Sequence, residues 1–272
     1  MRCPMRHAYQ RSSYFQDDNL TGTIPPAISL LAFLQILTLR RLPNLVGPIP
    51  NSIANLTNLT VLDLSHNSLS GRIPLFVTKL TSLTYLDLSY NQLSSPIPGD
   101  LPYLSNLTAL HLEHNLLYGN IPNTFGRFPK SSPPDLYLCH NALSGLIWPS
   151  LGQPNWGVID ISRNRLTGDA SILFGSQKRA TRIDISRNRF DFDLSNLSFP
   201  LNLRALDFSH NMIHGRIPAQ INQVRGLERF NASYNPLCGE IPAGAGSVTA
   251  RFGQYSYVHH MCLCGAPLTP CN

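Results

Sequence analysis

Acidic residues recur at a regular interval in this sequence. Asp63 and Asp87 are 24 residues apart, and Asp160, Asp184 and Asp207 are separated by 24 and 23 residues, each directly after a leucine or an isoleucine. Residues with this period would lie in a row about 4.8 Å apart if successive segments paired as parallel strands. Carboxylates about 5 Å apart suit a retaining glycosidase and wider pairs an inverting one, so the spacing admits glycoside hydrolysis.

Two requirements of a glycosidase are missing from this pattern. An open row of strand residues offers neither a desolvated general acid nor a closed sugar pocket, and aspartate in the motif L-D-L-S also serves as an ordinary solvated strand residue. We therefore predict no catalytic residue and no cofactor. We expect a protein-binding face instead, rigid because the other side of each strand is buried. Its predicted contact residues are Asp63, Asp87, His111, Glu113, Tyr137, Asp160, Asp184 and Asp207.

Five histidines fall on or just after the same segments, namely His66, His111, His114, His140 and His210. Histidine clusters bind metal ions, but side chains that project in parallel from successive segments do not easily converge on one ion. We therefore predict no metal site and interpret these histidines as contact residues or solvated side chains.

The elements that position these residues are copies of one pattern, seen in residues 59–74 as L-x-x-L-x-L-x-x-N-x-L-x-G-x-I-P. This pattern, with its period of about 24 residues, is that of a leucine-rich repeat. The leucines point inward, whereas Val61, Asp63, Ser65 and His66 are expected to face water. A buried asparagine amide after each strand can bond to the backbone of its own and the neighbouring coil. This predicted ladder comprises Asn19, Asn44, Asn67, Asn91, Asn115, Asn141, Asn164, Asn188, Asn211 and Asn235.

The repeats predict an α/β repeat solenoid: a right-handed leucine-rich-repeat superhelix with a concave parallel β-sheet, short second strands and convex 3-10 turns. In the recurring G-x-I-P, glycine permits a turn and proline ends strand pairing. We divide the chain into an irregular N-terminal segment that is a truncated or replaced cap (residues 1–16), ten leucine-rich repeats (residues 17–236) and a disulfide-bonded C-terminal cap (residues 237–272).

Composition narrows the remaining function classes. The 272 residues are 43% hydrophobic and 13% charged, with a net charge of +6. Arginine and lysine are spread along the chain without a basic cluster or an aromatic platform, which argues against a nucleic-acid partner. The most apolar run, residues 28–39, is too short to cross a bilayer. We expect a monomer without a membrane span.

The cysteines indicate an oxidising compartment. Of the six, Cys238, Cys262, Cys264 and Cys271 crowd into the last 35 residues. This predicts a disulfide-bonded cap, because the spacing lacks the paired C-x2–4-C of a zinc site. Cys3 and Cys139 are left over.

The N-glycosylation sequons, Asn-X-Ser/Thr, also indicate a secreted glycoprotein. Two sequons are not expected to carry glycans, because Asn19 is a ladder position expected to be buried and Asn231 lies on a strand of the exposed sheet. Residues 1–16 carry arginines but no apolar secretory signal, so we expect a signal peptide and a polar first cap to be missing from this sequence. The glycosylation candidates are Asn55, Asn58, Asn106 and Asn196.

Three segments resemble the plant polygalacturonase-inhibiting proteins: Asp135–Gly145 (DLYLCHNALSG), Gly168–Gly175 (GDASILFG) and Tyr255–Cys271. The resemblance extends from about Asn19 to the end of the chain. It implies a free thiol at Cys139, where relatives usually have serine. It also implies two pairs of neighbouring cysteines in the cap, Cys238–Cys262 and Cys264–Cys271.

The resemblance implies a plant defence protein of the cell wall that binds and inhibits fungal or insect endopolygalacturonase. The family's acidic cluster, which contacts basic residues of the enzyme, corresponds here to Asp87, Glu113 and Asp160. Cell-wall pectin is a second expected partner. One alternative is a secreted ligand-binding protein in development or signalling. Another is ice binding, which would favour a flat, regular array of threonine or asparagine over the mixed residues found here.

Overall fold

A ten-stranded parallel sheet forms the spine of the molecule. The structure is a computed structural model that describes residues 12–15, 21–244 and 246–271. The strands of the sheet follow one another in chain order, each paired in parallel with the next. They are Ser12–Phe15, Ile36–Leu39, Val61–Asp63, Tyr85–Asp87, Ala109–His111, Asp135–Tyr137, Val158–Asp160, Arg182–Asp184, Ala205–Asp207 and Arg229–Asn231.

Strand formation follows from the alternation within L-x-L. The central residue of each strand points into the solenoid; Leu62, Leu86 and Leu110 are fully buried there and in register with one another. Because successive side chains of a strand alternate between faces, the residues on either side of these leucines lie on the concave face. The predicted parallel concave sheet is therefore confirmed.

Most coils leave the sheet through a short second strand and return through a 3-10 turn. These also match the predicted fold class. The second strands are Val46–Gly47, Ser68–Gly71, Gln92–Leu93, Tyr118–Gly119, Ala142–Leu146, Arg165–Gly168 and Arg189–Phe190. The 3-10 helices are Pro26–Leu30, Asn51–Asn55, Leu75–Lys79, Leu101–Tyr103, Asn123–Arg127, Pro149–Gly152, Ser171–Leu173, Ala219–Gln223, Thr249–Arg251 and Gln254–Ser256.

The first strand lies upstream of the first predicted repeat. Ser12–Phe15 pairs in parallel with Ile36–Leu39, in a segment that the sequence analysis treats as irregular. Backbone pairing with an existing strand needs no leucine pattern, which explains why the periodicity did not predict it. Cys3 and Asn19 lie outside the described residues.

Buried asparagines tie successive coils together. The Asn115 Oδ1 atom accepts a hydrogen bond from the Leu93 amide at 3.0 Å. Its Nδ2 donates to the carbonyls of Leu88 in the preceding coil and Leu112 in its own, at 2.9 and 3.2 Å. The same three kinds of bond recur at Asn67, Asn91, Asn141, Asn164, Asn188, Asn211 and Asn235.

The placement of Asn44 in this ladder was wrong. Ile36 pairs with Val61, so the position equivalent to Asn67 is Leu42, which is fully buried and donates its amide to Asn67 Oδ1 at 2.8 Å. Asn44 is exposed. This coil has one extra residue between its strand and its glycine, so the asparagine that best fits the repeat spacing does not fall on the ladder position.

The C-terminal segment covers the end of the solenoid. It contains the disulfides Cys238–Cys262 and Cys264–Cys271, the two pairs that the resemblance implies. Cys238–Glu240 and Cys262–Cys264 form a separate two-stranded sheet. The fully buried Tyr257 packs on Phe230 and donates its hydroxyl to the Thr249 carbonyl at 2.8 Å. In the part of the chain that is described, no helix is long and apolar enough to cross a membrane.

Candidate binding face

Seven of the eight predicted contact residues form one row across the concave sheet. Asp63 pairs with Asp87, Asp87 with His111, His111 with Tyr137, Tyr137 with Asp160, Asp160 with Asp184, and Asp184 with Asp207. Glu113 lies two residues beyond His111 on the same coil. Parallel strands lie about 4.8 Å apart, so the row presents one side chain per coil at that interval.

The aspartates of this row are less exposed than the sequence predicts. Asp63, Asp87 and Asp160 are only 9%, 7% and 4% exposed. Oδ1 of Asp87 accepts hydrogen bonds from the Ser89 amide and hydroxyl, at 2.9 and 2.6 Å. Asp63, Asp160 and Asp184 bond in the same way to the serine two residues on. One carboxylate oxygen of each therefore stabilises the end of its strand, and the expectation of plainly solvated aspartates was wrong.

The second carboxylate oxygens make contacts across the face. Asp87 Oδ2 accepts from the Tyr85 hydroxyl at 3.2 Å. Arg182 Nη2 lies 2.8 Å from Asp160 Oδ2 and 3.6 Å from Asp184 Oδ2. Burial raises the pKa of Asp184 to about 6, and the neighbouring charge of Asp160 adds to the rise.

An acidic and aromatic cluster occupies the centre of the face; it comprises Tyr85, Asp87, His111, Glu113 and Tyr137. The His111 ring stacks on Tyr137 with centroids 4.3 Å apart, and Tyr85 approaches from the other side at 5.4 Å. His111 Nδ1 lies 3.1 Å from Glu113 Oε1. Burial alone lowers the pKa of His111, but the hydrogen bond and charge of Glu113 outweigh it, so the pKa is above its ordinary value. The buried Glu113 Oε2 has no hydrogen-bond partner among the described residues.

A strip of stacked rings borders the face, at the position just before each ladder asparagine and at the equivalent positions Arg41 and His259. These non-glycine residues have φ between 52° and 62°, the left-handed region, which aims their side chains in one direction. His66, Tyr90, His114 and His140 stack at centroid distances of 4.1, 4.1 and 3.9 Å. His210, Tyr234 and His259 continue the stack at 4.0 and 4.1 Å. The full strip is Arg41, His66, Tyr90, His114, His140, Arg163, Arg187, His210, Tyr234 and His259.

Four arginines form an array where the strip changes from rings to guanidinium groups. Arg163, Arg165, Arg187 and Arg189 are exposed and belong to two successive coils, whose backbones bond through the Arg163 amide and the Ser186 carbonyl. None of the four forms an ion pair within the described residues. The prediction that basic residues form no cluster was therefore wrong.

Two of these features have sequence signals that the analysis did not use. Serine follows two residues after each aspartate in D-x-S, and the tetrapeptide S-R-N-R occurs at residues 162–165 and 186–189. Repeats bring identical positions side by side, so two copies one period apart make a cluster. In contrast, the direction of the side chains in the strip follows from its left-handed backbone, which the sequence pattern does not reveal.

The remaining predicted sites are located as follows. Across residues 21–244 and 246–271, no group of three histidine, cysteine, aspartate or glutamate side chains is placed to hold a metal ion. Cys139 is a free, partly buried thiol on the concave side, and burial raises its pKa. Asn231 lies in the sheet, where it donates to Asp207 at 3.2 Å. The four glycosylation candidates Asn55, Asn58, Asn106 and Asn196 are exposed.

Comparisons with known proteins agree with the repeat architecture. Leucine-rich-repeat family models match residues 57–117 and 202–224. The chain is 54% identical to polygalacturonase inhibitor 2 of Arabidopsis thaliana over 261 residues, which are 96% of this chain and 78% of the relative. It is 49% identical to the polygalacturonase inhibitor of Pyrus communis over 253 residues, covering 93% and 76% of the two chains. A solved plant ice-binding protein superposes with a TM-score of 0.91 at 46% identity, covering 94% of this chain and 82% of that one.

Proposed function

Since the chain belongs to the polygalacturonase inhibitor family of leucine-rich-repeat proteins, we propose that it binds and inhibits endopolygalacturonases of plant pathogens through its concave face. Fungal and insect enzymes are the expected targets. Such a protein acts in plant defence without chemistry of its own, by occupying the substrate cleft of the enzyme.

The observation that carries this proposal is the acidic and aromatic cluster. Polygalacturonate is a polyanion, so an enzyme that acts on it needs a cationic cleft rim. Asp87 and Glu113 supply the opposite charge at the centre of the face, and Tyr85, His111 and Tyr137 supply the aromatic contact area typical of binding hot spots. Because ladder bonds and buried leucines hold the strands that carry this cluster, little ordering of the face is needed on binding.

The hydrogen bonds made by the carboxylates of the row support an inhibitor rather than a glycosidase. Asp87 and Asp160 each hold a serine with one oxygen and a tyrosine or an arginine with the other. Carboxylates committed to such bonds suit fixed electrostatic contacts, whereas a general acid must exchange its proton with substrate.

Pectin is a second proposed partner, and the arginine array is its proposed site. Arg163, Arg165, Arg187 and Arg189 present guanidinium groups without competing carboxylates, in the fork geometry that recognises carboxylates. Retention on pectin would keep the inhibitor in the cell wall, where the enzyme attacks.

The cap and the sequons support an extracellular location. Its two disulfides are stable in an oxidising compartment, and Asn55, Asn58, Asn106 and Asn196 offer exposed amides for glycans. We propose a secreted monomer of the cell wall.

Two other functions have less support. The ice-binding protein shares this fold, but the row here mixes aspartate, histidine and tyrosine, whereas ice binding favours a flat repetition of one polar type. A ligand-binding role in development or signalling would use the same face with a different partner. Inhibition assays against fungal and insect polygalacturonases distinguish the proposed function from both alternatives.

The decisive test neutralises the acids and keeps their bonds to serine, although Asp160→Asn loses the contact with Arg182. The triple variant Asp87→Asn, Glu113→Gln and Asp160→Asn keeps the serine bonds and should weaken inhibition of a sensitive polygalacturonase at least about tenfold, with a smaller salt dependence. Asp100→Asn, Asp191→Asn and Glu240→Gln together form the control, since they neutralise three exposed acids elsewhere. Unchanged inhibition and salt dependence in the first variant would exclude the acidic cluster as the site.

A further inference from the structure

A pit opens in the concave face beyond the acidic and aromatic cluster. It has a volume of about 170 Å³ and lies across the three strands Arg182–Asp184, Ala205–Asp207 and Arg229–Asn231. Ala205 is in register with Arg182 on one side and with Arg229 on the other. The Ala205 methyl group therefore lies between two long side chains, and Arg182 and Arg229 line the pit on either side of it.

The two arginines differ in how far they are neutralised. Arg182 bonds to Asp160 at 2.8 Å and is held in place by that contact. Arg229 is exposed and has no ion pair within the described residues. The adjacent carboxylate of Glu228 is already engaged by Arg204 at 2.7 Å. Arg229 thus keeps an uncompensated positive charge at the edge of the pit.

The two acids at the other end of the pit already accept hydrogen bonds from neighbouring residues of the protein. Asp207 accepts from the Ser209 amide at 2.9 Å and from Asn231 Nδ2 at 3.2 Å. Asp184 accepts from Ser186 and, because its pKa is raised to about 6, carries a proton much of the time in an acidic cell wall. Repulsion of an incoming carboxylate is therefore weakened at Asp184, and its attraction is strongest at the Arg229 end of the pit, away from Asp207.

We propose that this pit is a specificity subsite that takes an acidic side chain, aspartate or glutamate, of the protein bound by the concave face. The proposal rests on the proposed function, since that partner is the polygalacturonase. The arginines flank Ala205 two strand spacings apart, about 10 Å between backbones, which leaves room for a carboxylate that accepts from the unpaired Arg229. A water takes about 30 Å³ of the liquid, so the pit holds several non-hydrogen atoms.

Two substitutions test the pit in different ways. Arg229→Gln removes the free charge, and Ala205→Leu fills the pit without changing charge. Each should raise the inhibition constant for a sensitive polygalacturonase at least about tenfold, and the double variant should be little worse than either alone, because both disable one site. The matched controls are Arg225→Gln and Ala219→Leu, at exposed positions away from the face. Thermal unfolding checks that all variants remain folded.

A titration with a small carboxylate tests binding in the pit directly, without any measurement of polygalacturonase inhibition. N-acetylglutamate should shift the Ala205 methyl resonance of the whole protein, N-acetylglutamine should not, and Arg229→Gln should abolish the shift. If no polygalacturonase is inhibited, the proposed function fails while this titration still decides whether the pit takes a carboxylate. Equal shifts from the two probes, or inhibition that neither variant changes, would overturn the proposal.

Discussion

Asp160 and Asp184 lie in register on neighbouring strands and share one guanidinium group. Arg182 is 2.8 Å from the first carboxylate and 3.6 Å from the second, so the closer contact goes to Asp160. Asp184 therefore lies largely buried beside the like charge of Asp160, and it has the longer of the two contacts with Arg182. This explains why its pKa is raised to about 6.

The raised pKa predicts a stability that falls as pH rises. An unfolded aspartate loses its proton near pH 3.8, whereas folded Asp184 keeps it to about pH 6. Between these values the folded state binds more protons, so the free energy of unfolding should decline by roughly 3 kcal/mol and then level off. Asp184→Asn should remove that decline. Urea unfolding from pH 3.5 to 7.5 measures it, and parallel curves for both proteins would contradict the assignment.

Removing a ladder amide should cost more than removing an exposed one. Asn115→Ala leaves the Leu93 amide and two buried carbonyls without their partner, at about 1–3 kcal/mol for each unpaired group. We expect a loss of at least about 2 kcal/mol in the free energy of unfolding. Asn202→Ala, at an exposed position, should change it by less than about 0.5 kcal/mol. Similar losses in both would show that the ladder bonds contribute little.

Cys139 should be slow to react in the folded protein. Burial, followed by the charges of Asp160 and Glu113, raises the pKa of its thiol, so little thiolate is present at pH 8. In a Cys3→Ser background, a disulfide reagent should label Cys139 at least about tenfold more slowly before denaturation than after it. Fast labelling of the native protein would mean that the concave side opens at this coil.

Pectate binding should strengthen as pH falls from 7 to 5. His140 and His210 lie at the two ends of the arginine array, and burial together with neighbouring cations lowers the pKa of each. They are therefore neutral near pH 7 and gain charge only in acid, where carboxylates of pectate still remain largely ionised.

The variants separate the contribution of the histidines from that of the arginines. His140→Gln with His210→Gln should flatten the pH dependence of retention on immobilised polygalacturonate. Arg163→Gln with Arg187→Gln should weaken retention at both pH values. A steep pH dependence that survives the histidine substitutions would assign it to other groups.

The fold follows from the sequence because one requirement recurs in every coil. Leucines such as Leu62 and Leu86 must be buried, and glycine and proline recur at the turn, so local pattern and global architecture agree. The misplacement of Asn44 marks the limit of this reasoning. One extra residue shifts a position relative to the turn, and only strand pairing shows that Leu42 takes the place of the asparagine.

The candidate site is less predictable because it depends on neighbours across coils. The sequence places Asp184 in the row, but its contacts with Arg182 and Asp160 depend on side-chain directions. Arg163 and Arg187 are 24 residues apart in the sequence. The stacking of successive coils makes them neighbours in the structure. The pit over Ala205 is visible only as a difference in size between in-register residues.

The in-register stacking also governs which changes of length the chain tolerates. The extra residue before Gly47 and the longer segment around residues 129–134 both lie outside the strands of the concave sheet, and those strands keep their pairing. Insertions and deletions there alter the outline of a single coil. Such changes of length leave the order of side chains on the concave face unchanged. Related sequences can therefore differ in length and still present the same row of residues to a partner.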